Sequence, residues 1–275
     1  MYRVQRLENT SKNFLALVKK ALERIVLLLL SLVLLTWSLP AHATSQVSPL
    51  VEEQVLQVIR NHPEQILQLI RSHPEVILQS LQAYQQQQQA QLQQIRQAFV
   101  QALETNPKVV IHESPTTGAS DLKVVLLEFS DFQCPYCAQA HKIIKQFMAQ
   151  HQDEVTLVYK HFPLTPIHPE AMPAAKAAWA ALQQGKFWEY QDALFSQQDK
   201  LGEQLYVATA KSLNLDLEKF NRDRANADAP IEEDIRLAET LGLSGTPFLV
   251  LNGEAFSGDV QLADLEKALT RTSQS

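Results

Sequence analysis

The chain has 275 residues, 45% hydrophobic and 20% charged, a composition that fits one domain with an appendage and excludes a disordered or fibrous protein. Its net charge of −6 is uneven, because residues 1–43 carry six basic and two acidic side chains and so leave −10 on the remainder. An acidic body without a basic stripe gives no reason to expect nucleic acid as a partner.

Taken in chain order, the N-terminus explains its own charge. Arg3, Arg6, Lys12, Lys19, Lys20 and Arg24 precede an apolar run from Ile25 to Leu39, and Ala41-His42-Ala43 follows it. Basic flank, short apolar stretch and small-residue site together predict a signal peptide over residues 1–43, either cleaved or retained as an anchor. The run is 15 residues long, short of the roughly 20 that a hydrocarbon core requires. In both cases the positive flank stays in the cytoplasm and the rest is exported, to the periplasm or its extracytoplasmic equivalent.

Residues 44–106 contain no glycine and read as a helical extension. An 11-residue repeat runs through them: Ile59-Arg-Asn-His-Pro-Glu-Gln-Ile-Leu67, then Ile70-Arg-Ser-His-Pro-Glu-Val-Ile-Leu78. Pro63 and Pro74 suit a first helical turn, and Glu64 and Glu75 suit its positive end, so each repeat predicts a helix restarting. From Pro74 the helix can run unbroken to Leu103, with Leu92, Ile95, Phe99 and Leu103 on one face. Its middle, Tyr84 to Gln89, is polar all round. Such a narrow stripe lacks a core of its own and predicts a partner, self-association being favoured over folding back on the chain's own α/β domain or serving as a spacer from the membrane.

Residues 107–275 read as an α/β domain. Val109-Val-Ile111 suggests a short strand, and Ser114 to Ser120 a loop. Lys123 to Phe129 predicts a buried strand, followed by a helix to about Gln150 and a strand over Glu154 to Tyr159, a βαβ unit. Residues 168–241 form an alanine-rich helical insertion with Trp179, Leu182, Phe187, Tyr190, Leu194, Leu205, Leu213, Leu217 and Phe220 as core. Pro247-Phe-Leu-Val-Leu251 and Glu254-Ala-Phe-Ser257, joined by Asn252-Gly253, predict a β-hairpin. A last helix covers about 261–270.

The chain's two cysteines, Cys134 and Cys137, are three positions apart, so no disulfide framework exists. A bridge closing so short a loop stabilises little. Cys134 falls where a strand ends and a helix begins, and the unpaired N–H groups and dipole of a helix N-terminus favour thiolate, the species that attacks disulfides. Pro135 fits the first turn, and the spacing lets Cys137 close a bridge with Cys134. The pattern predicts thiol–disulfide exchange, with Cys134 attacking and Cys137 resolving. The alternatives are a structural bridge, or half a zinc site with His141 as a third ligand, although no second cysteine pair completes one. Otherwise His141 reads as a solvated helix residue. Val124, Leu126 and Glu128 share one strand face, so Glu128 among apolar neighbours would have a raised pKa. If that strand lies at a sheet edge, Glu128 is simply exposed.

Leu127-Glu-Phe-Ser-Asp-Phe-Gln-Cys-Pro-Tyr-Cys137 resembles the active-site segment of DsbA-like thiol–disulfide oxidoreductases of the thioredoxin superfamily, of the DsbA, DsbG and ScsC type. Gly245-Thr246-Pro247 resembles the family's cis-proline loop, and Lys160-His-Phe-Pro-Leu164 leading into an insertion also matches. The resemblance covers about 107–271. It implies a thioredoxin-like fold with a helical insertion and exchange of disulfides with exported proteins. It further implies that Pro247 abuts the cysteine pair in cis, that the Thr246 backbone pairs with the substrate chain, and that Glu128 assists proton transfer at Cys137. Asp131, Phe132 and Tyr136 would shape the rim. No cofactor and no metal is implied. A membrane redox partner would recycle the protein, and in the isomerase-like branch N-terminal helices join protomers. Two other functions stay open: an isomerase or reductase kept reduced by a membrane donor, and a chaperone-like binding protein whose thiols are incidental.

Overall fold

The computed structural model describes residues 49–272, so the signal segment expected over 1–43 lies outside the described residues. Three helices open the described chain: α1 (Pro49–Asn61), α2 (Pro63–Ser72) and α3 (Pro74–Thr105). Pro63 and Pro74 each sit at a helix start, where the missing N–H would have had no partner, and their fixed φ favours the first turn. The described residues divide into two compact units, one ending at Ile77 and the other beginning at Leu78. In the first, Ile59, Leu67, Ile70 and Ile77 are exposed on their helices.

The second unit is built on a five-stranded sheet of β1 (Thr116–Gly118), β2 (Val125–Ser130), β3 (Thr156–His161), β4 (Phe248–Leu251) and β5 (Glu254–Ser257), in the order β1-β3-β2-β4-β5. Only β2 and β3 pair in parallel, and all six residues of each are buried, as befits strands covered on both faces. One face packs on α5 (Pro135–His151) and α11 (Leu262–Thr272) through Leu126, Leu157, Leu249, Ile144, Phe147 and Leu265. The other packs Leu127, Phe129 and Val158 against the end of α3, a short α4 (Lys108–Ile111) and Leu241. Between β3 and β4 lies the helical insertion: α6 (Ala171–Leu182), α7 (Phe187–Ser196), a 3₁₀ turn (Gln198–Lys200), α8 (Glu203–Ser212), α9 (Leu217–Ala225) and α10 (Asp228–Thr240). The buried alanines of α6 let its neighbours approach closely around Tyr190, Leu194, Tyr206 and Phe220. Asn252 and Gly253, with φ of 50° and 77°, make the hairpin turn that two such residues favour.

The structure corrects two sequence expectations. Val109–Ile111 is helical, because Val110 and Ile111 turn one face into the core while Val109 stays exposed. The loop expected over 114–120 contains the edge strand β1, paired antiparallel with β3 although its side chains are exposed. Of the partners open to the α3 stripe, its C-terminal end takes one within its own chain: Ile95, Phe99 and Leu103 pack onto the sheet, and Arg96 Nε donates to Leu241 O at 2.9 Å. Burying side chains such as Phe99 and Leu103 contributes about 1.5–3 kcal/mol each, enough to hold the helix end in place.

Candidate active site at the end of β2

The carboxyl end of β2 feeds a tight turn, Asp131 to Gln133, that delivers Cys134 to the start of α5. Cys134 holds the extended N-cap conformation, Pro135 follows at the first helical position, and the Cys137 and Ala138 amides donate to Cys134 O. Asp131 organises this turn. Its Oδ1 accepts from Gln133 N at 2.7 Å, its Oδ2 accepts from Leu164 N at 2.9 Å and lies 2.7 Å from His168 Nδ1, and its own amide donates to Cys137 Sγ at 3.4 Å. From the insertion, Gln198 Nε2 donates to both Phe132 O and Cys134 O at 2.8 Å, and Glu170 N donates to Gln133 Oε1. Three separate segments thus fix one turn.

Both cysteines are free thiols in different surroundings. Across from them the Thr246–Pro247 bond is cis, and Thr246 O lies 3.3 Å from Cys134 Sγ, accepting from the thiol. The Cys137 thiol and the amides of Tyr136 and Cys137 stabilise negative sulfur at Cys134, pulling its pKa down to about 5 against the opposing effect of partial burial. Cys137 is fully buried, and burial, with the negative charge of Cys134 and Glu128 nearby, pushes it well above the usual thiol range. Near neutral pH the pair therefore holds one thiolate and one thiol.

Glu128 is 1% exposed on β2, the central strand, registered opposite Tyr159 and Leu249, so the reading of an edge-exposed glutamate fails. Burial raises it to about 7, with Ser130 pulling modestly the other way. It can take and release a proton in the range where the thiols work.

Two further sequence expectations are corrected. Asp131 and Phe132 are buried rather than on the rim, Phe132 stacking on Tyr159 with centroids 5.6 Å apart, while Tyr136 is exposed there. His141 is also buried, not solvated: its Nε2 lies 3.0 Å from Asp192 Oδ1 and its ring stacks on Phe195. His168, Gln198 and the structural role of Asp131 went unread. The Asp131–Gln133 spacing of an Asx turn is a local signal, whereas Gln198 acts across 64 residues and leaves none.

A family model described as thioredoxin matches residues 111–271. A Na(+)/H(+) antiporter NhaA 3 of Salinispora tropica is 37% identical over 155 residues, 55% of this chain and 24% of the antiporter. The chain thus spans about a quarter of the length of the curated relatives it matches. A thioredoxin-like oxidoreductase from Silicibacter pomeroyi is 30% identical with a TM-score of 0.57, covering 62% of this chain and 99% of its own. The thiol-disulfide exchange protein alpha-DsbA2 from Wolbachia pipientis shares the fold, with 21% identity, a TM-score of 0.58, and coverage of 66% of this chain and 98% of its own.

Proposed function

The chain belongs to the thioredoxin family, and we propose that it is an exported oxidoreductase exchanging disulfides with protein substrates through Cys134 and Cys137. The observation that carries this reading is the division of labour in the pair: Cys134 caps a helix N-terminus whose amides, with the Cys137 thiol, favour its thiolate, while Cys137 is buried and held as thiol. In the exchange, the Cys134 thiolate attacks a substrate disulfide. One substrate sulfur leaves as thiolate and the other forms a mixed disulfide. Cys137 then attacks Cys134, its proton passing to Glu128, and the second substrate sulfur departs. Thr246 and Pro247 would hold the substrate backbone as an added strand beside Cys134.

The test is insulin reduction together with refolding of scrambled ribonuclease. Cys134→Ala should abolish both, and Cys137→Ala should accumulate mixed disulfides. Refolding assistance that survives Cys134→Ala, without insulin reduction, would leave the chaperone-like reading. Among the described residues no helix is long and apolar enough to cross a membrane, so we assign any anchoring, like the export itself, to residues 1–43. Recycling would fall to a membrane redox partner. A second reading, isomerase or reductase, is favoured by one observation: exposed Leu78, Leu81 and Tyr84 on α3 offer a surface by which copies could share a substrate.

A further inference from the structure

Glu128 has a second neighbourhood that the sulfur chemistry does not use. Although it is 1% exposed, its side chain lines a cavity of 370 Å³ between α5 and α7. Its Oε1 has no hydrogen-bond partner. Ile144, Met148 and Leu157 form apolar walls, and His141 and Asp192 stand on the same lining. His141 lies one turn beyond Cys137 on α5. It is held by Phe195, whose ring centroid is 4.8 Å away, and by Asp192 Oδ1 at 3.0 Å, while Asp192 itself reaches the surface.

We infer that His141, paired with Asp192, is the relay by which the proton of Cys137, once on Glu128, leaves for solvent through this cavity. The assignment rests on the exchange reading given above. It acts through Glu128, as a positioning residue, and touches neither sulfur.

The inward alternatives are closed. His161 and Tyr159 are buried, and their polar side-chain atoms are without partners. Burial drives His161 down to about 3 and Tyr159 far up, so neither exchanges protons near neutrality. Burial also lowers His141, against the pull of Asp192 and with Lys145 and Lys142 adding to the lowering, so the ring is neutral at working pH and ready to accept. Lys145 shares Asp192 at 2.5 Å, and Glu189 is the remaining charged side chain on the lining.

The balance closes without an added reactant. In the resolving step the Cys137 S–H proton passes to Glu128, and the Cys137 sulfur attacks Cys134. The Cys134–substrate S–S bond breaks, and the substrate sulfur leaves with the electron pair and is protonated by solvent. Cys134 and Cys137 are oxidised to the disulfide and the substrate is reduced. Glu128 then gives its proton to His141, which releases it at Asp192. In the reverse direction every transfer runs backward.

The experiment follows decay of the mixed disulfide in the full chain of His141→Ala and His141→Gln, in dilute buffer near pH 7 and with added imidazole. Both variants should slow the step on the order of tenfold, below the full span of positioned proton transfer. Imidazole should restore His141→Ala in proportion to its concentration, since the vacated ring space opens onto the cavity. Cys134 alkylation should not change. Wild-type rates in both variants, or slowing that imidazole leaves untouched, would overturn the relay. Failure of wild-type exchange itself would instead sink the proposed function.

Discussion

At the scale of single residues, the pair's chemistry follows from where each sulfur sits. Alkylation of the reduced chain should follow one titration with a midpoint near 5, read at Cys134 alone. Modification of Cys137 first would reverse the roles. Because the folded Cys134 titrates below an unfolded cysteine, the reduced protein gains stability that is complete above the ordinary thiol range and lost as pH falls through about 5. The urea midpoint of wild type relative to Cys134→Ser should therefore fall on acidification. A stabilised thiolate also favours the reduced form, so the reduction potential should be more oxidising than the roughly −270 mV of thioredoxin. Glu128 has the opposite sign. Its folded pKa is raised to about 7, so stability present below the ordinary carboxyl range is lost as pH rises through 7. Glu128→Gln should be the more stable protein above pH 7, with resolution slowed about 100-fold. A Gln variant resolving at the wild-type rate would remove Glu128 from the reaction.

At the scale of elements, the insertion is joined to the sheet by a buried ion pair. Lys160 Nζ on β3 donates to Asp234 Oδ1 of α10 at 2.9 Å and to Ile111 O, and Asp234 Oδ2 accepts from His161 N. Asp234→Ala leaves a buried ammonium without its counter-charge and the buried His161 amide unpaired, and should cost about 3–5 kcal/mol in urea unfolding. A loss under 1 kcal/mol would mean that water reaches Lys160. Such ties explain what the sequence could and could not reveal. The strands β2 to β5, the long helices and the cysteine turn are local patterns of period, proline and turn residues, and all can be read in the chain. α4 is helical although Val109-Val-Ile111 has strand propensity, because burial of Val110 and Ile111 overrides it. β1 is three exposed residues whose strand state comes from pairing with β3 alone. Its Gly118 is held at φ 90° with Val155 O where a Cβ would stand, a constraint set by the neighbouring strand rather than by local sequence. In the site, Cys134, Cys137, Glu128 and Pro247 announce themselves by position. Asp192, Gln198 and His168 do not, because each reaches its partner from the insertion or the loop leading into it, 37 to 64 residues from that partner.

At the scale of the whole molecule, the open matter is what covers the helices before the catalytic unit. Along α2 and α3, Leu67, Ile70, Ile77, Leu78, Leu81 and Tyr84 are all at least 43% exposed. Leu67 to Leu78 and Ile70 to Leu81 are both 11 residues apart, so the repeat puts apolar residues at matching positions of the two helices. Scattered exposed leucines need no explanation, but a repeated apolar stripe does, and pairing between identical chains is the commonest way to bury one. The end of α3 does not share in this, since Ile95, Phe99 and Leu103 are already committed to the sheet. A truncation that tests association must therefore begin near residue 90, ahead of Leu92. Light scattering should show the chain from residue 44 as an oligomer and the chain from residue 90 as a folded monomer. Leu78→Glu with Leu81→Glu should dissociate the longer form without touching exchange at Cys134. An oligomer joined in this way sets several thiol pairs around one misfolded substrate, which favours reshuffling over simple oxidation. A monomer in every form at micromolar concentration would end that reading and leave a monomeric oxidase.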